Sequence, residues 1–183
     1  TEYSVYVFAL DAKTGKVAKA HVYPSFAKTK PVGTIVPQIE LIGYYSGDEE
    51  AGSIFGQPEA TAGKAIAVVK YNVDPAATAL YSAVMEGNGM DAAEYDDAYI
   101  NEMLKAYWSS ITLSQPYSFF VTTWQKDQTV FAYAEDANGG KGALGRLLLS
   151  PTAEEKGNIE DLKALVAELN GNSKTASAVT SVN

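Results

Sequence analysis

Lys126 to Gly145 reads KDQTVFAYAEDANGGKGALG: a strand pattern, a glycine-rich turn and the start of a second strand. The first sixteen residues, TEYSVYVFALDAKTGK, align with Lys126 to Lys141 without a gap. Val5 meets Val130, Ala9 meets Ala134, Asp11 meets Asp136, Ala12 meets Ala137, Gly15 meets Gly140 and Lys16 meets Lys141, while Tyr6/Phe131 and Phe8/Tyr133 exchange one aromatic ring for another. One hairpin is used twice. Self-similarity at a fixed offset marks a repeated structural unit, and the offset, 126 − 1 = 125 residues, is the size of a β-sandwich domain and not of a solenoid repeat.

Composition agrees with a folded, strand-rich chain. Of 183 residues 46% are hydrophobic and 20% charged, ordinary for a globular protein, and 12 are tyrosine. Fourteen basic against 22 acidic residues leave a net charge of −8, which repels phosphate backbones and argues against nucleic acid as a partner. There is no cysteine and one histidine, His21, so disulfides, thiolate zinc sites and multi-histidine metal motifs are excluded. No apolar run approaches the roughly 18 residues a membrane helix needs, and no signal peptide is present. The chain opens at Thr1 in a strand pattern without a start methionine, so we expect a processed or excised fragment.

Outward from the repeated hairpin, the organisation is as follows. Tyr3 to Leu10 is a strand with apolar residues on both faces, and Val17 to Lys28 is its expected return strand. Lys30-Pro31-Val32-Gly33 reads as a linker. Strands are expected over Gln38 to Tyr45, Lys64 to Val73, Ala79 to Met85, Pro116 to Gln125 and Ala143 to Leu149, with an acidic, glycine-rich loop over Ser46 to Thr61. Asp91-Ala-Ala-Glu94 fits a capping box, so a helix is expected over about 91–109, with Tyr95, Tyr99, Ile100, Met103, Leu104 and Tyr107 as one apolar stripe. A second helix should start at the N-cap Asn158, bury Ile159, Leu162, Leu165, Val166 and Leu169, and end before Gly171. The domains expected are residues 1–31, the hairpin of a preceding and truncated sandwich; 32–151, a sandwich with the helical insertion; and 152–183, a helix and tail. Thirty residues cannot bury a core alone. The edge of the first hairpin is therefore expected to need a cover, from the second domain, from the C-terminal tail or from a neighbouring chain in a homo-oligomer.

TEYSVYVFALDAKTGKV resembles the penultimate strand and hairpin of a fibronectin type III-like or immunoglobulin-like domain, and VKYNVDPAATALYSAVMEGNGMDAAEYDDAYI resembles the central part of such domains in Bacteroidetes cell-surface lipoproteins. Those proteins carry tandem sandwiches with a helical insertion after the third strand. The resemblance covers roughly residues 1–151 and departs at Gln128, where the first copy has Tyr3. It implies a mainly β fold, an antiparallel β-sandwich with an inserted α-helix and a C-terminal α-helix. It further implies export to the bacterial cell surface, a lipid anchor on an N-terminus not included here, and a role as a non-enzymatic binding or spacer module with no cofactor. The alternative from another class is a carbohydrate-active hydrolase, of which this chain is the accessory or catalytic part.

Several motifs invite chemistry. Gly140-Lys-Gly142-Ala-Leu-Gly145 matches a dinucleotide fingerprint, but the fingerprint needs a helix to begin inside the glycines, whereas Pro151 follows within a few residues. Asp136-Ala-Asn138-Gly139 resembles the start of a calcium loop, but its twelfth position is Leu147 where glutamate is required. A turn accounts for both. The carboxylates Asp48, Glu49 and Glu50, and Glu94, Asp96 and Asp97, are candidates for a cation or for paired acid catalysis, and both groups also suit a solvated loop or the first turn of a helix. No nucleophile motif accompanies His21. No catalytic or metal residue is therefore assigned. No binding residue is assigned either: among aromatics that include Tyr44, Tyr45, Phe55 and Tyr107, the candidates for recognition of a glycan or a protein are Trp108, Trp124, Tyr95 and Tyr99, and most of the set also suits the core of a sandwich and a docked helix.

Overall fold

A computed structural model describes residues 5–7, 11, 13–15, 21–23, 32–54 and 58–172. The chain falls into two compact units, Thr1–Val32 and Gly33–Asn183. In the first, β1 (Val5–Val7) and β2 (His21–Tyr23) pair antiparallel with Val5 opposite Tyr23. Between them Asp11 Oδ1 accepts the N–H groups of Lys13 and Thr14 at 2.9 and 2.8 Å, and Gly15 closes the turn at φ +64°. The rest of the expected return strand, the side chain of His21, Lys30-Pro31, Phe55 and the tail from residue 173 lie outside the described residues.

The second unit is mainly β, with two antiparallel sheets and few helices. In order it contains β3 (Gln38–Ser46), α1 (Glu49–Ile54), α2 (Pro58–Thr61), β4 (Ala65–Asn72), β5 (Ala79–Glu86), α3 (Asp97–Met103), β6 (Ser109–Ile111), β7 (Tyr117–Thr122), β8 (Gln128–Glu135), β9 (Gly145–Leu149), a 3-10 turn at Ala153–Glu155 and α4 (Ile159–Asn172). One sheet has the order β3-β4-β7 and the other β6-β5-β8-β9. The loop expected over Ser46 to Thr61 is a correction: it holds α1 and α2. Pro58 opens α2 with Glu59 beside it in the first turn, where a missing N–H costs nothing and a carboxylate is favoured. Gly171 likewise lies inside α4 and not beyond it.

Period-two alternation assigns each strand's faces. Ala67, Val69 and Tyr71 of β4 meet Leu80 of β5, Val130 and Ala132 of β8, Tyr44, Phe120 and Leu149 in one buried cluster fed by both sheets. The opposite face of β4, Ile66 and Val68, packs with Tyr45 against Leu162 of α4. The opposite face of β8, Phe131 and Tyr133, packs against Ile100 and Leu104 of the α3 segment. Both central strands are thus buried on both sides, which is why AIAVV and TVFAYA are continuous apolar runs where a one-sided strand would alternate with polar residues.

Tyr71 joins the sheets. It is 1% exposed, and its hydroxyl donates at 2.6 Å to Ser82 Oγ, which donates at 2.9 Å to the Phe131 carbonyl. Burial pushes its phenol up to about 12. A group bound more tightly to its proton when folded contributes stability that is complete below pH 10 and is lost as pH rises from 10 towards 12. We expect Tyr71→Phe to flatten that alkaline loss, on the order of 2 kcal/mol, in urea titrations across the window, while lowering stability at neutral pH by about 1 kcal/mol for the lost hydrogen bond.

Both copies of the hairpin pattern fall on antiparallel strand pairs. Val130 pairs with Leu147 as Val5 pairs with Tyr23, separations of 17 and 18 residues, so the first loop is one residue longer. Asp136 Oδ1 anchors the second turn by accepting from Asn138 and Gly140, and the left-handed residue is Gly139 at φ +72°. The calcium-like and nucleotide-like motifs are this turn, for Gly145 opens a strand and no helix follows the glycines. The extra glycines have a packing role instead. A Cβ on Gly142 would lie 1.9 Å from the Ile35 carbonyl oxygen and one on Gly145 2.2 Å from that of Pro37, so segment 33–37 lies backbone to backbone against this hairpin.

Candidate binding surface

The segment between β5 and β6 carries three of the four candidate aromatics. Its helix is shorter than the expected 91–109 and starts later. Asp91 Oδ1 accepts the N–H of Ala93 at 2.8 Å and its carbonyl accepts Tyr95 N–H, closing a turn, so Asp91 and Glu94 do not form the capping box. Asp96 is the cap, accepting Tyr99 N–H at 2.7 Å. The helix stops at Leu104, and Ser109–Ile111 is drawn into the sheet, with Ile111 opposite Leu80.

Successive residues of a helix stand 100° apart, and the expected single stripe divides along that angle. Ile100 and Leu104, 0% and 5% exposed, point at Phe131, Tyr133 and Leu144. Tyr99 and Met103, four residues apart in the helix and so on one face, point outward at 53% and 38% exposure, and Tyr107, in the turn that follows the helix, is 65% exposed. Tyr95 packs at the cluster's margin with its ring centroid 6.1 Å from that of Tyr99. A hydrogen bond to Glu94, and then that carboxylate's charge, hold the Tyr95 phenol above its usual value.

Polar anchors hold this row against the sheet. Arg146, 10% exposed, donates to Asp97 Oδ1 at 2.6 Å and to the Gly89 carbonyl at 2.8 Å, and stacks 5.3 Å over Phe131. Asp97 Oδ2 accepts Leu144 N–H at 3.0 Å. Lys141 Nζ donates to Asn101 Oδ1 and sits 3.5 Å over the ring of Tyr133 and 5.1 Å from that of Trp108. Trp108 meets Tyr133 edge-on at 4.9 Å, and Tyr81 stacks on it at 4.8 Å. Burial first, then the charge of Glu135, pushes Tyr133 up to about 12. Trp108 is therefore a half-buried support under the row.

Trp124 stands elsewhere, packed against the cluster between the sheets. The structure packs Tyr95 and Trp108 on one cluster and sets Tyr99 beside Tyr95, while Met103 and Tyr107 stand exposed in the same segment. Lys141 and Arg146, which position the segment, carry no local signal in the sequence beyond their place beside the glycines of a turn.

The carboxylate candidates are occupied with structure. Asp96 caps α3, Asp97 pairs with Arg146, Glu94 bonds Tyr95, and Asp48 accepts from Ser46. The side chains of Glu49 and Glu50 lie outside the described residues. Among the described residues, no group of three His, Asp or Glu side chains could hold a metal ion. Two clefts of about 610 and 420 Å³ open at the strand ends, one lined by Lys70, Asp74 and Leu113, the other by Glu86, Lys126 and Asp127, and neither contains a candidate aromatic.

Comparison with known proteins adds little. No family model matches the chain, and no curated protein matches it. Among solved structures it is similar to the crystal structure of the glycoside hydrolase domain of Endo-D from Streptococcus pneumoniae, at 12% identity and a TM-score of 0.35. That match covers 73% of this chain and 18% of the other, and a likeness so distant carries no argument about fold or activity.

Proposed function

We propose that the chain is a non-enzymatic binding module built on a fibronectin type III-like sandwich, and that the row Tyr99, Met103 and Tyr107 is its recognition face. One observation carries the reading. Of the nine large apolar side chains that stand exposed among the described residues, four, Met90, Tyr99, Met103 and Tyr107, fall between residues 90 and 107. Apolar side chains gathered on one surface, and aromatic and methionine ones above all, mark contact sites.

The fold reading is supported by the shared core between sheets of three and four strands, by the repeated hairpin at the penultimate strand, and by α3 following the third strand of its unit, as in the domains the sequence resembles. Display at a bacterial surface, in tandem with similar domains and held by a lipid anchor, is supported by that resemblance.

Tyr99→Ala and Tyr107→Ala test the reading, because both side chains are exposed and their loss leaves the core intact. Whatever ligand a glycan array or a protein-partner screen returns, each variant should weaken its binding by about tenfold or more while shifting stability by less than about 0.5 kcal/mol. A ligand held equally well by both variants places recognition elsewhere.

A further inference from the structure

We infer that the partner of the tyrosine row is a cationic polypeptide segment, with Lys or Arg side chains interspersed among apolar ones; the inference rests on the row being the recognition face. The segment that carries the row is rich in carboxylates. Asp91, Glu94, Asp96 and Glu102 are all exposed within the same segment. Asp97 is not counted with them, because Arg146 already compensates it. Within the segment Lys105 lies 3.5 Å from Glu102, and Lys141 reaches it from the hairpin, on Asn101. Among the exposed residues of segment 91–108, four carboxylates stand against one ammonium, a balance of −3, on a chain whose total is −8.

That combination selects a ligand chemistry. Carboxylates only accept hydrogen bonds, whereas ammonium and guanidinium groups only donate them. Tyrosine faces attract the same cations, by about 0.5–1 kcal/mol at exposed sites. Met103 offers an adaptable apolar contact one helical turn from Tyr99. An anionic glycan would meet repulsion, and a neutral one would leave the segment's charge unused. A basic and apolar segment answers every part of the surface.

The test uses the full chain, labelled with nitrogen-15, and four probes: an N-acetylated decapeptide of alternating Arg and Leu, the matched Glu and Leu peptide, and oligosaccharides from chitin and from mannan. The Arg-Leu peptide should shift amides of residues 91–108. Its affinity should fall about tenfold in Tyr99→Ala and in the double variant Glu94→Gln, Glu102→Gln, and should weaken as salt rises from about 50 to 500 mM. The control Glu59→Gln, Asp74→Asn removes two charges away from the row and should bind normally. Equal loss in that control, or equal binding of the Glu-Leu peptide, overturns the cationic partner. An oligosaccharide that shifts the same amides, lost in Tyr99→Ala, with no response to the Arg-Leu peptide overturns the partner class and leaves the recognition face standing. A row that responds to no probe overturns both.

Discussion

Phe131→Ala is expected to lower the unfolding free energy by about 3–5 kcal/mol, the range for emptying an aromatic site in a packed core. Phe131 is 0% exposed on the helix-facing side of β8, where it meets Ile100 and Leu104, and the Arg146 guanidinium lies 5.3 Å over its ring. The surrounding backbone cannot collapse into the void, because β8 is hydrogen-bonded on both sides, to β5 and to β9. The substitution therefore does two things. It removes stability, read as a lower midpoint in urea at unchanged slope, and it loosens the floor beneath α3, so the tyrosine row loses its fixed spacing. Phe131→Leu should restore most of the stability. A Phe131→Ala protein that unfolds at the wild-type midpoint would show that the α3 segment does not pack on β8 as described.

Leu162→Ala should cost about 2–5 kcal/mol. Leu162 is 0% exposed and fills the space between α4 and the pair Ile66 and Val68 of β4, with Tyr45 beside it. The helix is tied at both ends. Gly157 N–H donates to the Tyr44 carbonyl at 2.7 Å and Asn158 Oδ1 accepts Glu160 N–H at 3.0 Å before its first turn, while Gln115 Nε2 donates to the Leu169 carbonyl at 2.7 Å near its last. An isolated helix of 14 residues is marginal in water, so the packing of its apolar face supplies its stability. Helix and sheet signals should consequently disappear in one transition in the wild type and in Leu162→Ala. A helix that melts first, with the sheet signal unmoved by the substitution, would contradict a cooperative unit that includes α4.

Both positions bear on what could be read in advance. Leu162 was legible, because Ile159, Leu162, Leu165, Val166 and Leu169 recur at three and four residues and Asn158 caps them. Phe131 was legible as a strand residue and not as a helix contact, since a run such as TVFAYA reports that both faces are covered without naming the cover. In the α3 segment local rules compete. Asp91-Ala-Ala-Glu94 satisfies the capping pattern, but the same aspartate side chain closes a tight turn, and Asp96 five residues later takes the helix start. Trp108 and Trp124 are alike as residues and differ in role only because one lies under α3 and the other between the sheets.

From Lys126 to Gly145 the sequence by itself determined a strand, an aspartate-anchored turn and a return strand, and the same pattern of residues recurs at Thr1. Those features are local: they depend on side-chain alternation and on a carboxylate that accepts from backbone amides two to four residues away. The tertiary structure alone decided that Gly142 and Gly145 admit the backbone of Ile35 and Pro37, that Ile100 faces inward while Tyr99 faces out, and that Arg146 and Lys141 brace the row from a distant hairpin. Each of these joins residues about 30 to 110 positions apart, and such proximity is set by how the sheets and helices bury one another.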